Sequence, residues 1–329
     1  MSFYSGKTVL VTGADGFIGS HLSSYLASQG ARVKALAWYH PRDRKGWLSD
    51  SAQRGIDIIR GDIRDPFQAQ EMVSGCDCVF HLAALITIPY SYEAPASYLQ
   101  TNVLGTHHLL EAARKTGASF LLMSTSEVYG SALEIPMPES HPLQPQSPYS
   151  ASKIGAEAIV RSYYYSYEMP VFVARVFNTY GPRQSERAII PTVIQQINSG
   201  ASSLKLGDLS PTRDFVYVED TCRCLAQLVQ KPSAIGLPVN ICTGKEESVE
   251  TLVLTLRKML ASTISITQDP ARLRPPNSEV SRLCGSPALL QSLGIIPPQT
   301  NLREGLRKTI DWFQLTGSYQ SLNSQEYHV

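Results

Sequence analysis

The sequence lacks a dominant charge. Its 29 lysines and arginines nearly cancel 28 aspartates and glutamates, leaving a formal net charge of +1. Nucleic acids and anionic membrane surfaces are held by uncompensated positive charge, so neither is an expected partner. Long apolar runs are missing too, and no stretch approaches the roughly twenty residues that cross a bilayer. The first seven residues lack the basic-then-apolar pattern of a secretory leader, so none is expected. Six cysteines include two Cys-x-Cys pairs, Cys76/Cys78 and Cys222/Cys224, but no Cys or His partners follow at zinc-site spacing. They are expected as small buried side chains in a cytoplasmic, reducing setting, with no metal. Internal repeats and low-complexity segments are absent as well.

What is present is alternation. Short apolar runs at 8–11, 33–37, 57–60, 78–82, 120–123 and 171–174 read as buried strands bounded by turn signals. Between them lie helical patterns, notably 18–28, 97–116 and 150–167. Strand–helix alternation with near-continuous apolar strands predicts an α/β fold whose parallel sheet is covered on both faces. After Asn178 the pattern loosens, with Pro182, Pro191, Gly200, Gly207 and Pro211 as punctuation. One more strand is expected at 239–242, and helices at 249–260 and 302–313. The expected division is a first domain over 1–177, with a return segment at about 214–244, and a smaller lobe from 178–213 and 245–329.

The first strand runs into Gly13-Ala-Asp-Gly16-Phe17-Ile18-Gly19, at the start of the first helical pattern. There Gly13 permits a tight turn, Gly16 allows backbone to approach a pyrophosphate, and Gly19 allows the helix to pack on the sheet. The helix start adds free N–H groups and a favourable dipole for phosphate. In this strand–turn–helix context the motif predicts a doubly wound, Rossmann-type dinucleotide site. Later strand ends should face the same cleft: Asp62 and Ile63 toward an adenine, and Leu82, Ala83 and Ala84 along the cofactor. One expected feature is missing, an acid at the end of the second strand to hold the adenosine ribose. That strand ends Ala37-Trp38-Tyr39-His40, with Arg42 and Arg44 beyond. The arginines can receive a 2′-phosphate or form a solvated loop, so NAD is expected with NADP left open.

Further along, Tyr149 and Lys153 stand four residues apart at the start of a helix, hence on one face of it. The lysine is expected to lower the tyrosine's pKa and make it a proton acceptor near neutral pH. Ser124-Thr125-Ser126 closes a strand nearby, and a hydroxyl there can bind the same substrate oxygen.

Glycine motif, Thr-Ser segment and Tyr-xxx-Lys together resemble the extended short-chain dehydrogenases, the NAD-dependent epimerase/dehydratase family, over about residues 7–313. Supporting stretches include Thr101-Asn102-Val-Leu-Gly105, Arg175-Val-Phe-Asn178-Thr-Tyr-Gly181-Pro-Arg183 and Arg213-Asp214-Phe-Val-Tyr. The resemblance implies a nucleotide-diphosphate sugar as substrate. Asn102 would join the cofactor site, and Asn178, Arg213 and Arg274 would contact the diphosphate. Ile86, Arg187 and Leu206 would complete the substrate pocket. It also implies a homodimer joined by a four-helix bundle from the 97–116 and 150–167 helices, with Leu109, Ala112, Ile159 and Tyr163 among their apolar positions.

Glu127 separates the reactions. A 4-epimerase needs no carboxylate beside the threonine; a 4,6-dehydratase uses one to remove the C5 proton once C4 is a ketone. Hexose dehydratases carry an Asp–Glu pair, whereas this chain has Ser126 before Glu127, and an alcohol is a poor general acid near neutral pH. Ser126 is therefore expected to orient the C6 hydroxyl or a water, with Glu127 serving both steps. The segments at 84–95 and 182–192 resemble UDP-N-acetylglucosamine 4,6-dehydratases of the legionaminic-acid type. The expected activity is that dehydration, on the UDP sugar or its GDP analogue. UDP-glucuronate decarboxylation and 4-epimerisation are the alternatives, and a non-catalytic dinucleotide-binding scaffold or sensor is the reading from another class.

Overall fold

The computed structural model describes residues 2–38, 46–50 and 55–316. Arg42 and Arg44 lie outside the described residues.

Seven parallel strands form the central sheet: β1 (Thr8–Thr12), β2 (Arg32–Ala37), β3 (Ile56–Arg60), β4 (Cys78–His81), β5 (Ser119–Thr125), β6 (Val171–Val176) and β7 (Pro238–Ile241). Their order is β7-β6-β5-β4-β1-β2-β3. All four residues of β4 and all six of β6 are buried. Alternate residues point to opposite faces, so Val9 and Val11 enter one core while Leu10 enters the other. Both faces being covered is why these strands read as unbroken apolar runs. The chain leaves β1 toward β2 on one side and returns to β4 on the other. This reversal opens a crevice at the carboxyl ends of β1 and β4, where doubly wound sheets bind ligands.

Helices α1 (Phe17–Ser28), α2 (Pro66–Val73), α3 (Gly105–Thr116), α4 (Pro148–Tyr167), α5 (Ile189–Asn198), α6 (Val218–Leu228), α7 (Val249–Met259) and α8 (Leu302–Thr316) surround the sheets. The start of α4 is strongly specified. Ser147 caps the Ser150 N–H, Ser150 returns the bond to the Ser147 N–H, and Pro148 occupies the first turn. That holds Tyr149 in the first turn. The expected single helix over 97–116 is interrupted: α3 is preceded by a π-helical stretch, Leu99–Leu104. Asn102 lies in that stretch, with its side chain committed to the backbone of Leu85.

Beyond β6, short ladders pair Asn178–Tyr180 with Phe215–Tyr217, Ser203–Leu206 with Ser265–Gln268, and Thr212–Arg213 with Glu247–Ser248 and Arg282–Leu283. They bring residues distant in sequence to one side of the crevice.

The four apolar positions named on the expected dimer helices turn inward. Leu109, Ala112 and Tyr163 are buried against the chain's own sheet, and Ile159 packs on that same core. Leu99, Leu104, Tyr165 and Tyr167 are the large apolar side chains these segments expose.

Candidate active site

A cavity of about 490 Å³ lies at the carboxyl edge of the sheet. It is lined by the expected Gly13, Gly16, Phe17, Ile18, Gly19, Asp62, Ile63, Leu82, Ala83, Ala84 and Ile86, together with Asp15, Trp38, Tyr90 and Thr101, for which local sequence carries no signal. Two glycines explain the shape of its floor. Gly13 has φ +66°, and a Cβ there would meet the Ala83 backbone at 3.0 Å. A Cβ on Gly19 would sit 2.1 Å from the Gly13 carbonyl oxygen, so only glycine lets α1 start this close to the loop. The bare cradle beneath a helix start suits a pyrophosphate, and the apolar walls suit flat rings.

Below the floor, Thr12 and His81 lock the loops. The Thr12 hydroxyl oxygen accepts the Leu82 and Ala83 N–H groups at 3.1 and 3.0 Å, and it bonds His81 Nδ1 at 2.8 Å. His81 Nε2 pairs with the Thr106 hydroxyl at 2.9 Å. Burial pushes the His81 pKa down to about 3, so the imidazole is a neutral strut near pH 7. Asn102 extends the lattice toward the catalytic helix by donating to the Ser152 hydroxyl at 2.9 Å. Ser152 in turn donates to the Tyr149 carbonyl. Asn102 thus holds the Leu85 loop and the start of α4, and its side chain is almost fully buried.

Tyr149 and Lys153 are both buried, and they reach the cleft through Met123, which lines it and whose carbonyl Lys153 bonds. The side chain of Thr125 lies beside the Tyr149 phenol and favours its charged form. The expected lysine effect on this tyrosine is corrected here. Burial raises the Tyr149 pKa well above its ordinary value, and the Thr125 side chain offsets part of that rise. Lys153 donates instead to the Met123 carbonyl at 2.7 Å, while burial lowers its pKa to about 8 against the pull of Glu157. Four-residue spacing put both groups on one helix face; it carried no information about the strand carbonyl that captures the ammonium.

Glu127 sits one residue into a short 3-10 turn, Ser126–Tyr129. The Thr125 hydroxyl oxygen caps that turn by accepting the Glu127 N–H at 3.2 Å, which fixes the base of the carboxylate. The negative charge of Glu127 is felt at Tyr149. Ser126 is buried beside it. Arg274 Nη1 lies 3.9 Å from Glu127 Oε2, and Arg274 Nε lies 3.8 Å from Glu279 Oε2. Arg213 Nη2 donates to Glu279 Oε1 at 3.3 Å. Burial lowers the Arg213 pKa, Glu127 counters it, and the neighbouring Arg274 cation adds to the lowering. Two guanidiniums therefore converge on the side of the cleft next to Glu127. Arg274 Nη1 is buried with no hydrogen-bond partner, and so is Asn178 Oδ1. Arg187 reaches the Thr87 hydroxyl at a long 3.5 Å.

Leu206 is placed elsewhere: its side chain is in the core and its carbonyl accepts the Asp269 N–H. Glu279 was missed because only the fold brings it to Arg213 and Arg274. All six cysteines are free and buried. Among the described residues no His/Cys/Asp/Glu group could hold a metal ion, and no helix is long and apolar enough to cross a membrane.

A bare-glycine cradle facing a buried Tyr-xxx-Lys helix across the switch point of a parallel sheet defines an extended short-chain dehydrogenase. Comparison with known proteins narrows the class: residues 10–309 match the family model described as GDP-mannose 4,6 dehydratase, and the chain belongs to that family. It is 37% identical over 246 residues to the low-salt glycan biosynthesis protein Agl12 of Haloferax volcanii, covering 73% of this chain and 78% of that protein. It is 31% identical to the dTDP-glucose 4,6-dehydratase of Mycobacterium tuberculosis, over 93% of both chains. Among solved structures, DesIV, a dTDP-glucose 4,6-dehydratase from Streptomyces venezuelae with NAD and TYD bound, superposes with a TM-score of 0.84 at 29% identity, covering 95% of this chain and 98% of that one. An epimerase from Methanothermobacter thermautotrophicus superposes equally well, with a TM-score of 0.86 at 30% identity, covering 95% and 94%. Likeness at this level gives the family; the reaction has to be argued from the site.

Proposed function

We propose that the protein is a nucleotide-sugar 4,6-dehydratase acting on UDP-N-acetylglucosamine or its GDP analogue, with NAD as cofactor. The observation that carries this reading is the carboxylate of Glu127, whose backbone Thr125 fixes beside the buried Tyr149. NAD is supported by the bare cradle at Gly13, Gly16 and Gly19, which accommodates a pyrophosphate, and by the bound NAD of the related dehydratase DesIV. When bound, the nicotinamide supplies a reversible acceptor for the hydrogen that leaves sugar C4 and returns at C6.

The chain's own residues handle the protons. Tyr149, with the Thr125 side chain beside it, exchanges the proton of the C4 hydroxyl, while Lys153, tied to the Met123 carbonyl, holds the end of β5 against α4. Glu127 removes the C5 proton, which the C4 ketone has made acidic. The same carboxyl group, now protonated, returns its proton to the departing C6 hydroxyl, which Ser126 orients; C5 regains a proton from solvent as hydrogen returns to C6, and Tyr149 releases its own to solvent. Arg213, Arg274 and Asn178 bind the diphosphate, since guanidiniums form charge-assisted bonds to phosphate oxygens and the bonding capacity of Arg274 Nη1 is unused within the chain. Arg187 and Ile86 border the sugar. Residues 1–177 with 214–244 serve the cofactor, and 178–213 with 245–329 serve the nucleotide sugar. Exposed Leu99, Leu104, Tyr165 and Tyr167 on the 97–116 and 150–167 helices support a homodimer through a four-helix bundle.

The second reading is UDP-glucuronate decarboxylation, favoured by a relative of that name from Xenopus tropicalis, 30% identical to this chain. The protein incubated with UDP-N-acetylglucosamine should release a product lighter by one water, with no net NADH. Carbon dioxide from UDP-glucuronate without dehydration would select the decarboxylase instead. Tyr149→Phe should reduce turnover at least about a thousandfold while dinucleotide binding persists. No turnover by the native protein on any of these sugars, with dinucleotide still bound, would favour a binding module.

A further inference from the structure

We propose that Asp15, in the middle of the glycine loop, selects a dinucleotide whose adenosine ribose carries a free 2′-hydroxyl over one carrying a 2′-phosphate. The inference rests on the dinucleotide reading above and names the residue that discriminates.

Strand β2 ends without the acid that normally meets this ribose, in Ala37-Trp38. The fold supplies a carboxylate from another element. Asp15 Oδ2 accepts the Trp38 N–H at 3.3 Å, which sets the carboxylate against the end of β2 where an acidic side chain of that strand would otherwise be. Asp15 and Trp38 line the same cavity as Gly13, Gly16 and Asp62. The placement is braced from both sides: the Asp15 carbonyl accepts the Trp47 N–H at 3.1 Å, and Arg60 donates to the Trp38 carbonyl at 3.2 Å.

The charge at this point is not fully solvated. Burial raises the Asp15 carboxyl above its ordinary range, with the Trp38 N–H among the groups that oppose the rise. A carboxylate short of water gains from neutral hydroxyl donors, and a ribose offers two. A phosphate in the same place brings like charge and no donor, and like charges a few ångströms apart at low dielectric repel strongly; the Arg60 cation, which also acts on Asp15, is engaged by the Trp38 carbonyl and offsets only part of that repulsion. The neighbouring Trp38 is 61% exposed, so its indole face is open to an adenine.

Asp15 also joins two loops, so a purely structural role has to be separable. Asp15→Asn keeps an oxygen for the Trp38 N–H and removes only the charge. The full-length protein and this variant would be titrated with NADH and with NADPH, following nicotinamide fluorescence. The native protein should bind NADH at least about tenfold tighter, and Asp15→Asn should shrink that ratio about tenfold, mainly through tighter NADPH binding, with an unchanged melting curve. An unchanged ratio in the variant, or a native preference for NADPH, would overturn the assignment of Asp15. Binding of neither dinucleotide by the native protein would instead overturn the cofactor reading beneath it.

Discussion

Two carboxylate–guanidinium clusters flank the catalytic residues, and they are built to opposite standards. Below Lys153, one turn further along α4, Glu157 pairs with Arg175 at 2.8 Å, and both side chains are 2% exposed. Each polar atom there has a partner. Glu157 accepts the Ser124 hydroxyl at 2.5 Å, while Arg175 Nη1 donates to the Tyr129 hydroxyl and the Glu139 carbonyl, each at 3.0 Å. The Tyr129 hydroxyl donates in turn to Asn240 Oδ1 at 2.6 Å. Above Lys153 the second cluster, Glu127, Arg274, Glu279 and Arg213, has contacts of 3.3–3.9 Å and a buried guanidinium nitrogen with no hydrogen bond. A saturated pair has nothing left to offer a ligand and serves to fasten α4 to β5 and β6. A loosely bonded pair keeps its capacity for a substrate.

The largest expected effect comes from breaking the tight cluster. Glu157→Gln strands the Arg175 cation in the core, and losing one partner of a buried pair costs about 3–5 kcal/mol of folding stability. Urea unfolding should register this as a fall in midpoint with little change in slope. Replacing both partners, as Glu157→Leu with Arg175→Met, should recover a substantial part of the loss because no charge is left unpaired. A single variant as stable as the native protein would end the view of this pair as a fastening.

Breaking the loose cluster should reverse the pattern. Arg274→Met should change folding stability by less than about 1 kcal/mol, since its ion pairs are long and partly exposed. UDP affinity measured by calorimetry should nevertheless fall about 10- to 100-fold, as for the loss of a charge-assisted bond to phosphate. A variant that is destabilised yet binds UDP normally would mean that both clusters are scaffolding.

How much of this was readable beforehand follows from the same contrast. Strands β1–β6 were legible because burial on both faces leaves an unbroken apolar signature. The glycine cradle was legible because tight turns and close approaches can be met only by glycine. The π-helical stretch at Leu99–Leu104 was hidden, because a few residues at a wider helical period leave no distinct apolar pattern. Leu109 and Ala112 looked like interface positions, although apolar periodicity cannot distinguish the chain's own core from a second copy. Both arginine clusters join residues from separate elements, and pairing across the fold is outside the reach of local spacing. Arg175 and Arg213 looked alike in sequence; only their surroundings set the fastening apart from the ligand-facing group.

Lys153 lies between the clusters, and its charge gives the smallest and most selective test of the difference. Burial lowers its pKa to about 8, while the nearby Glu157 resists the change. An unfolded lysine titrates near 10.5. Between about pH 8 and 10.5 the unfolded chain thus holds a proton that the native protein has released, so stability should rise with pH across this window. Below about pH 8 both states are protonated, and the penalty for burying the cation is constant. Lys153→Met removes this titration and leaves the other groups in place. The native-minus-variant stability difference, from urea unfolding at successive pH values, should be flat below about pH 8. It should then climb by up to about 1.4 kcal/mol per pH unit toward pH 10.5. A difference that stays flat throughout would mean that Glu157, despite its bond to Arg175, still holds the Lys153 charge at full strength, and that the tight cluster is electrostatically open to the site above it.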